Sequence, residues 1–151
     1  MAIWIPDSLA LECLKGTHDF QTHTFKCALF DSNAGFTKES TTAYAAANEV
    51  SGTNYTAGGA TATVSSGYPQ FELIDGVYRA SVRFDDVSWN SATFSNVLWA
   101  LYYNATDTAT SAVAAIQFNK VSAVVSGDFV ISIPLAQWPI VNILTGTSEQ
   151  S

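Results

Sequence analysis

The sequence predicts a mainly β protein, built as a single antiparallel β-sandwich or barrel with one short N-terminal helix. Three observations predict it. From residue 23 onward, about eight to ten short runs of alternating or fully apolar residues follow one another, with turn-forming residues roughly every 8–12 positions. Asp75-Gly76 stands between two such runs, the arrangement of a tight hairpin. Only residues 7–15 carry a helical pattern with signals at both ends.

The elements follow in order. Residues 7–15 offer Asp7 or Ser8 as a cap, Leu9, Leu11 and Leu14 as apolar positions and Gly16 as a stop. So short a helix depends on packing against the rest of the fold. In a strand over residues 24–30, Phe25, Cys27 and Leu29 share a face, and Asp31-Ser32-Asn33-Ala34-Gly35 is a turn. Thr41 to Asn48 is rich in alanine, which favours a helical turn. Ser51-Gly52 and Gly58-Gly59 bracket a loop around Tyr55. Ala60 to Val64 is a strand of small side chains, and Ser65 to Pro69 turns the chain. Phe71 to Ile74 and Val77 to Phe84 pair across Asp75-Gly76. Asp85-Asp86 breaks the alternation. Val87 to Trp89 is a short strand and Asn90 to Phe94 a turn. Val97 to Tyr103 is apolar on both faces, as a central strand must be. Strands follow at Val113 to Phe118 and Val121 to Val125, then a turn at Ser126-Gly127-Asp128 and a strand carrying Phe129, Ile131, Ile133 and Leu135. Pro134 has no N–H to donate, so that strand ends at an edge or leaves the sheet. Val141 to Leu144 pairs last.

The 151 residues suit one domain, 1–151, with residues 1–6 and 145–151 as arms or frayed ends. Charged residues make up only 13%, against about 25% in an average soluble domain. A surface so poor in charge is weakly defended against association. It suits either an ordinary β protein with a Ser/Thr-rich face or a surface tiled by partners. The net charge is −7, and the basic residues Lys15, Lys26, Lys38, Arg79, Arg83 and Lys120 are scattered. Phosphate binding needs them clustered, so neither direct nucleic-acid contact nor an anionic membrane is expected. Cys13 and Cys27 form no disulfide framework and read as free, buried thiols. The N-terminus lacks a basic, long-apolar leader, so a cytosolic origin is expected.

The residue types that carry chemistry give little. His18, Asp19 and His23 cluster without the three or four ligands zinc needs. Asp85-Asp86 lacks a second carboxylate at a definable separation and reads as a polar strand end. No Gly-x-Ser-x-Gly elbow supplies a nucleophile, and Gly58-Gly59 is not followed by Lys-Ser/Thr. No catalytic residue, metal or cofactor is therefore expected. Trp89 and Trp99 lie in apolar runs and read as core. Trp4, Trp138, Tyr44, Tyr55 and other aromatics suit core or protein contacts, with sugar stacking as the rival. Ala2 to Pro6 and Gln137 to Ile140 are apolar ends that dock either on a neighbour or on the parent sheet. The candidate interface residues are Ile3, Trp4, Ile5, Tyr44, Tyr55, Trp138 and Ile140.

Three stretches carry a resemblance: Phe25-Lys26-Cys27-Ala28-Leu29-Phe30; Ser40-Thr41-Thr42-Ala43-Tyr44; and Asn48-Glu49-Val50-Ser51-Gly52-Thr53-Asn54-Tyr55-Thr56-Ala57-Gly58-Gly59. With Asp86-Val87-Ser88-Trp89 and Tyr103-Asn104 further on, this order resembles small structural proteins of tailed bacteriophages. The resemblance spans roughly residues 20–135, and its most specific part is Glu49 to Gly59. The N-terminal helix and the Trp138 segment stand outside the shared pattern. The resemblance implies a non-enzymatic virion component assembled in the host cytoplasm, and carries no catalytic residues. The expected role is a capsid decoration (cement) protein that stabilises the head shell, with the major capsid protein and itself, as trimer or dimer, as partners. A tail or head-fibre component, binding a glycan or the host, is the alternative.

Overall fold

Two antiparallel sheets carry most of the regular structure in the computed structural model, which describes residues 1–133 and the strand Val141–Leu144. Pro134, Trp138, Ile140 and residues 145–151 lie outside the described residues. The elements are β1 (Ala2–Trp4), α1 (Leu9–Leu14), β2 (Phe25–Phe30), β3 (Ala60–Ala62), β4 (Gln70–Ile74), β5 (Val77–Val82), β6 (Val87–Asn104), β7 (Ala112–Ile131) and β8 (Val141–Leu144). The larger sheet runs β1-β7-β6-β2-β3, and the smaller one β4-β5-β8. The mainly β, antiparallel, sandwich-like class with one short helix is the one the sequence predicts.

β2 and the Leu98–Asn104 stretch of β6 explain where the core sits. β6 lies between β7 and β2, pairing Phe25↔Asn104 through Phe30↔Trp99 on one side. Phe25, Cys27, Leu29, Ala100 and Tyr102 point into the main core, while Ala28, Phe30, Trp99, Leu101 and Tyr103 point to the opposite face. Both faces are buried, as the two-sided apolar run requires. Val82 of β5 and the following Phe84 join the main core, where the Phe84 ring lies 5.1 Å from Tyr102 and 5.7 Å from Phe25. That contact packs the smaller sheet's end onto the larger one. The loop carrying Ala34, Phe36 and Tyr44 covers the second face.

α1 ends as Gly16 dictates. Gly16 adopts φ +76°, its N–H bonds Cys13 O, and the Thr17 N–H bonds Glu12 O, a Schellman stop. Its apolar positions do not all pack inward: Leu9 is buried, but Leu11 is 55% and Leu14 86% exposed. Asp75-Gly76 forms the hairpin between β4 and β5, with φ +50° and +78°. Two left-handed residues match the twist of the flanking strands.

Three local expectations are corrected. Thr41 to Asn48 is not helical. Ala43 bridges Ser111, the Tyr44 N–H bonds Thr110 O and the Ala112 N–H bonds Thr42 O, so sheet-like pairing overrides alanine's helical preference. Val87 to Trp89 and Val97 to Tyr103 are one strand of 18 residues, and Val113 to Ile131 falls within one strand of 20. The stretches Asn90 to Phe94 and Ser126 to Asp128 are irregularities inside that β6–β7 ladder rather than turns between strands. Ser91, Asn96 and Ser126 take φ +50°, +63° and +48° there. Bulges use the same small polar residues as turns, so local composition does not distinguish them. The third correction concerns Cys13. It is only half-buried, while Cys27 is fully buried, and both are free thiols.

Candidate functional site

Glu49 organises the most tightly bonded group among the motif residues quoted above. It follows Asn48, whose φ of +66° turns the chain, and it bridges Phe30 at the end of β2. Its Oε2 accepts from the Tyr44 hydroxyl at 2.6 Å. Its Oε1 accepts from the Tyr55 hydroxyl at 2.7 Å and from the Gly58 N–H at 2.8 Å. The Tyr55 oxygen in turn accepts the Leu29 N–H at 2.8 Å, and the Tyr103 hydroxyl donates to Gly58 O at 2.7 Å. Tyr44 stacks on Tyr103 at 4.6 Å, and Tyr55 lies 5.7 Å from Phe94 and 6.0 Å from Trp89. One carboxylate thus ties residues 44–58 to β2 and β6.

The glycines of this stretch are required by the same closure. A Cβ on Gly59 would lie 1.9 Å from Cys27 O, and one on Gly52 would lie 2.0 Å from Thr93 O. Only hydrogen fits there. Burial, then the hydrogen bond to Glu49, pushes the Tyr44 phenol up, and burial likewise raises Tyr55 and Tyr102. Burial and then the Glu49 charge push Tyr103 up to about 12. All four phenols are protonated donors at neutral pH. With three donors on it, the Glu49 carboxylate is a structural acceptor rather than a base facing substrate.

A second polar group forms at the C-terminal end of β6. Asn104 is fully buried, and its Oδ1 accepts the N–H groups of Thr106 and Asp107. Those two donors fix the amide's orientation. Its Nδ2 then faces Thr17 O at 3.1 Å, His18 Nδ1 at 3.2 Å and His23 Nδ1 at 2.9 Å. His18 Nε2 lies 2.8 Å from Glu12 of α1. The two histidines therefore meet on an asparagine that ties the α1–β2 connection to the sheet.

Besides Leu11 and Leu14 on α1, exposed apolar side chains concentrate in two places. Phe71, Leu73 and Tyr78 are 69%, 61% and 61% exposed on the β4–β5 hairpin. On β7, Val121, Val125 and Val130 are exposed, and among the described residues no strand pairs with its outer edge beyond Gln117. Behind the hairpin, Arg83 contacts Glu72 at 3.0 Å, and Tyr68 bonds the same carboxylate. Desolvation pushes Glu72 up, but the Tyr68 and Arg83 bonds outweigh it and hold the carboxyl below its ordinary range.

Of the candidate interface residues, Tyr44 and Tyr55 come together at Glu49, with their hydroxyls turned inward. Ile3 and Trp4 lie on β1, paired with Ile116 and Ala115 of β7, and Ile5 follows. Ile3 and Ile5 pack against the main core and Trp4 against the second. Trp138 and Ile140 lie outside the described residues. Trp89 and Trp99 are each 5% exposed, so neither ring is a stacking platform. Glu49 as a hub and Asn104 as a buried node escaped sequence reasoning. Glu49 gathers partners five to nine residues away through an irregular loop, and Asn104 reaches Thr17, His18 and His23 more than 80 residues away; neither arrangement leaves a periodic signal. The exposure of Leu14, Phe71 and Leu73 escaped it too, because alternation gives the faces of an element and not which face is covered. Searches against protein-family models, curated proteins and solved structures find no match to this chain.

Proposed function

We propose that this chain is a non-enzymatic structural component of a tailed-phage virion, acting as a capsid decoration protein. The observation that supports the reading best is the outer side of β7. Its edge from residue 118 to 131 has no strand partner among the described residues, and Val121, Val125 and Val130 stand exposed along it. Lys120 and Asp128 are the only charges in that stretch. An unpaired edge bearing apolar side chains is suited to contact with another protein. The inner side of the same ribbon packs on the core through Val87, Trp89, Phe94, Val97 and Ile131, so the edge is held on a rigid support.

Decoration follows from three further points. The resemblance at residues 25–30, 40–44 and 48–59 is to virion structural proteins. The surface is poor in charge, and its net charge of −7 gives no attraction to packaged DNA. Many weak contacts repeated over a shell act multivalently, so modest edges suffice. The test is binding to emptied, expanded capsids of the phage. The expected result is saturable binding in many copies and a raised capsid melting temperature, both lost in the double variant Val121→Asp/Val125→Asp. Absence from heads with recovery in tail fractions favours the tail or fibre role instead.

A further inference from the structure

β2 and β3 separate beyond Phe25↔Ala62, the last pair of their ladder. On one side, the Thr24 N–H bonds Thr106 Oγ1 and Thr24 O accepts the Ala105 N–H, so the chain leading into β2 is tied to the loop after β6. On the other side, Thr63 O accepts the Asp85 N–H and Val64 bridges Phe84, so the chain leaving β3 is tied to the segment after β5. A cleft of about 260 Å³ opens between residues 20–25 and residues 61–64. Thr61 and Thr63 alternate with Ala62 and Val64 along the strand, so the cleft meets that strand along its edge, where both sets line it. Phe20, Phe25, Ala62 and Val64 give it apolar surface. Gln21, His23 and three threonines give it polar surface, and no Lys, Arg, Asp or Glu lines it.

His23 brings a donor whose hydrogen position is fixed. Its Nδ1 accepts the Asp19 N–H at 3.3 Å and faces the Asn104 amide nitrogen at 2.9 Å. A backbone N–H can only donate, so the neutral ring carries its hydrogen on Nε2, at the edge turned away from Asn104. That N–H has no partner among the described residues, and neither do the Gln21 amide or the hydroxyls of Thr24, Thr61 and Thr63. Asp19 fixes the loop that carries His23. Its carboxylate accepts the Gln21 N–H at 2.9 Å and the Thr22 hydroxyl at 2.7 Å, and its carbonyl accepts the His23 N–H at 2.9 Å. This side of the cleft is therefore shaped before a ligand arrives, which lowers the cost of binding.

We infer that this cleft binds a single ring of a neutral sugar or cyclic polyol. The hydroxyls of such a ring donate and accept, as the threonine hydroxyls and the Gln21 amide do, and one of them accepts the His23 Nε2–H. Its C–H groups suit the apolar part of the lining. A charged ligand finds no counter-charge in the cleft, and a wholly apolar one leaves the His23 N–H unpaired. The volume stands just below the roughly 300 Å³ of the smallest drug-sized sites, so the cleft admits one ring rather than a chain of them.

This assignment goes beyond the decoration reading and does not rest on it; failure to bind capsids leaves it standing. Titration of the ¹⁵N-labelled full chain tests it, with the methyl glycosides of glucose, galactose, mannose and N-acetylglucosamine in one arm and myo-inositol in the other. The expected result is saturable shifts of the amides of residues 20–25 and 61–64 with at least one probe, at a dissociation constant on the order of 1 mM. Thr61→Val and Thr63→Val each weaken that binding about three- to tenfold. Both threonines are exposed and valine suits a strand, so the melting temperature of these variants stays unchanged. Ser88→Ala, on β6, leaves binding intact. Binding of a glycoside points to the end of a glycan as the source, and binding of inositol alone points to a free polyol; either supports the site. A panel that shifts nothing up to about 20 mM overturns the inference. So do shifts that gather elsewhere on the chain, or binding indifferent to both threonine substitutions.

Discussion

Replacing Glu49 with alanine removes the acceptor of three donors at once. The Tyr44 hydroxyl lies on one side, and the Tyr55 hydroxyl and Gly58 N–H on the other. A hydrogen bond to a charged group is worth about 1.5–3 kcal/mol, and an orphaned buried donor costs about 1–3 kcal/mol. Glu49 is itself half-buried, so water reaches part of the vacated space, and the Tyr44 hydroxyl recovers a partner. Gly58 is buried and Tyr55 is wedged against Trp89 and Phe94, so those two donors stay poorly served. Two orphaned donors at about 1.5–2 kcal/mol each give a loss of about 3–4 kcal/mol. For a chain of this length that lowers the melting temperature by about 10 °C. Glu49→Gln keeps one oxygen for Tyr55 and Gly58 and costs about 1 kcal/mol. Urea denaturation followed by circular dichroism measures both. A Glu49→Ala variant within 0.5 kcal/mol of the parent, or a glutamine variant as damaged as the alanine one, refutes the clasp as a stabilising element.

Three further outcomes are expected. Gly59→Ala drives a methyl into Cys27 O and prevents stable folding, whereas Gly67→Ala meets nothing within 4 Å and costs only about 1 kcal/mol for its positive φ; soluble yield and thermal melts separate the two. Asn104→Ala orphans the N–H groups of Thr106 and Asp107 and loses the ties to Thr17, His18 and His23, lowering stability by about 3 kcal/mol; a urea midpoint unchanged from the parent refutes it. The raised phenols of Tyr44, Tyr55, Tyr102 and Tyr103 hold their protons longer folded than unfolded. Their contribution is therefore complete below the unfolded value of about 10 and is lost as pH rises through the folded values, about 12 for Tyr103. Denaturation midpoints should fall steadily above pH 10, with the phenolate absorbance of these four tyrosines appearing as the chain unfolds.

Much of the fold was legible because its signals are local. Asp75-Gly76 needs only its own two left-handed residues, and Gly16 needs only the preceding turn of helix. The two-sided apolar run at Val97 to Tyr103 could lie nowhere but between strands. What escaped depends on pairings that no local pattern reveals. Thr41 to Asn48 loses its alanine-driven helicity because Ser111 and Thr110 offer backbone pairing across roughly 65 residues of sequence. Ser126-Gly127-Asp128 looks like a turn because a bulge calls on the same residues. Glu49, which reads as one more acidic side chain, becomes a hub only when Tyr44, Tyr55 and Gly58 fold around it.

The stretch from Glu49 to Gly59 is both the most specific part of the resemblance and the part most fully explained by architecture. Glu49 accepts, Tyr55 relays the Leu29 N–H, Gly52 and Gly59 clear backbone oxygens, and Gly58 receives Tyr103. Each residue type is required by closure of the loop, with no ligand invoked. A motif of this kind carries information about the scaffold, and function resides in what the scaffold presents. The surfaces available to partners lie outside the motif, on α1, the β4–β5 hairpin and the β7 edge. Substitutions should therefore divide by location. Those inside the motif should move stability, with association changing only as the fold fails. Those at Val121 and Val125 should move association at constant stability. A substitution within Glu49 to Gly59 that abolished partner binding while leaving the melting temperature untouched would place a binding site in the loop and undo this separation.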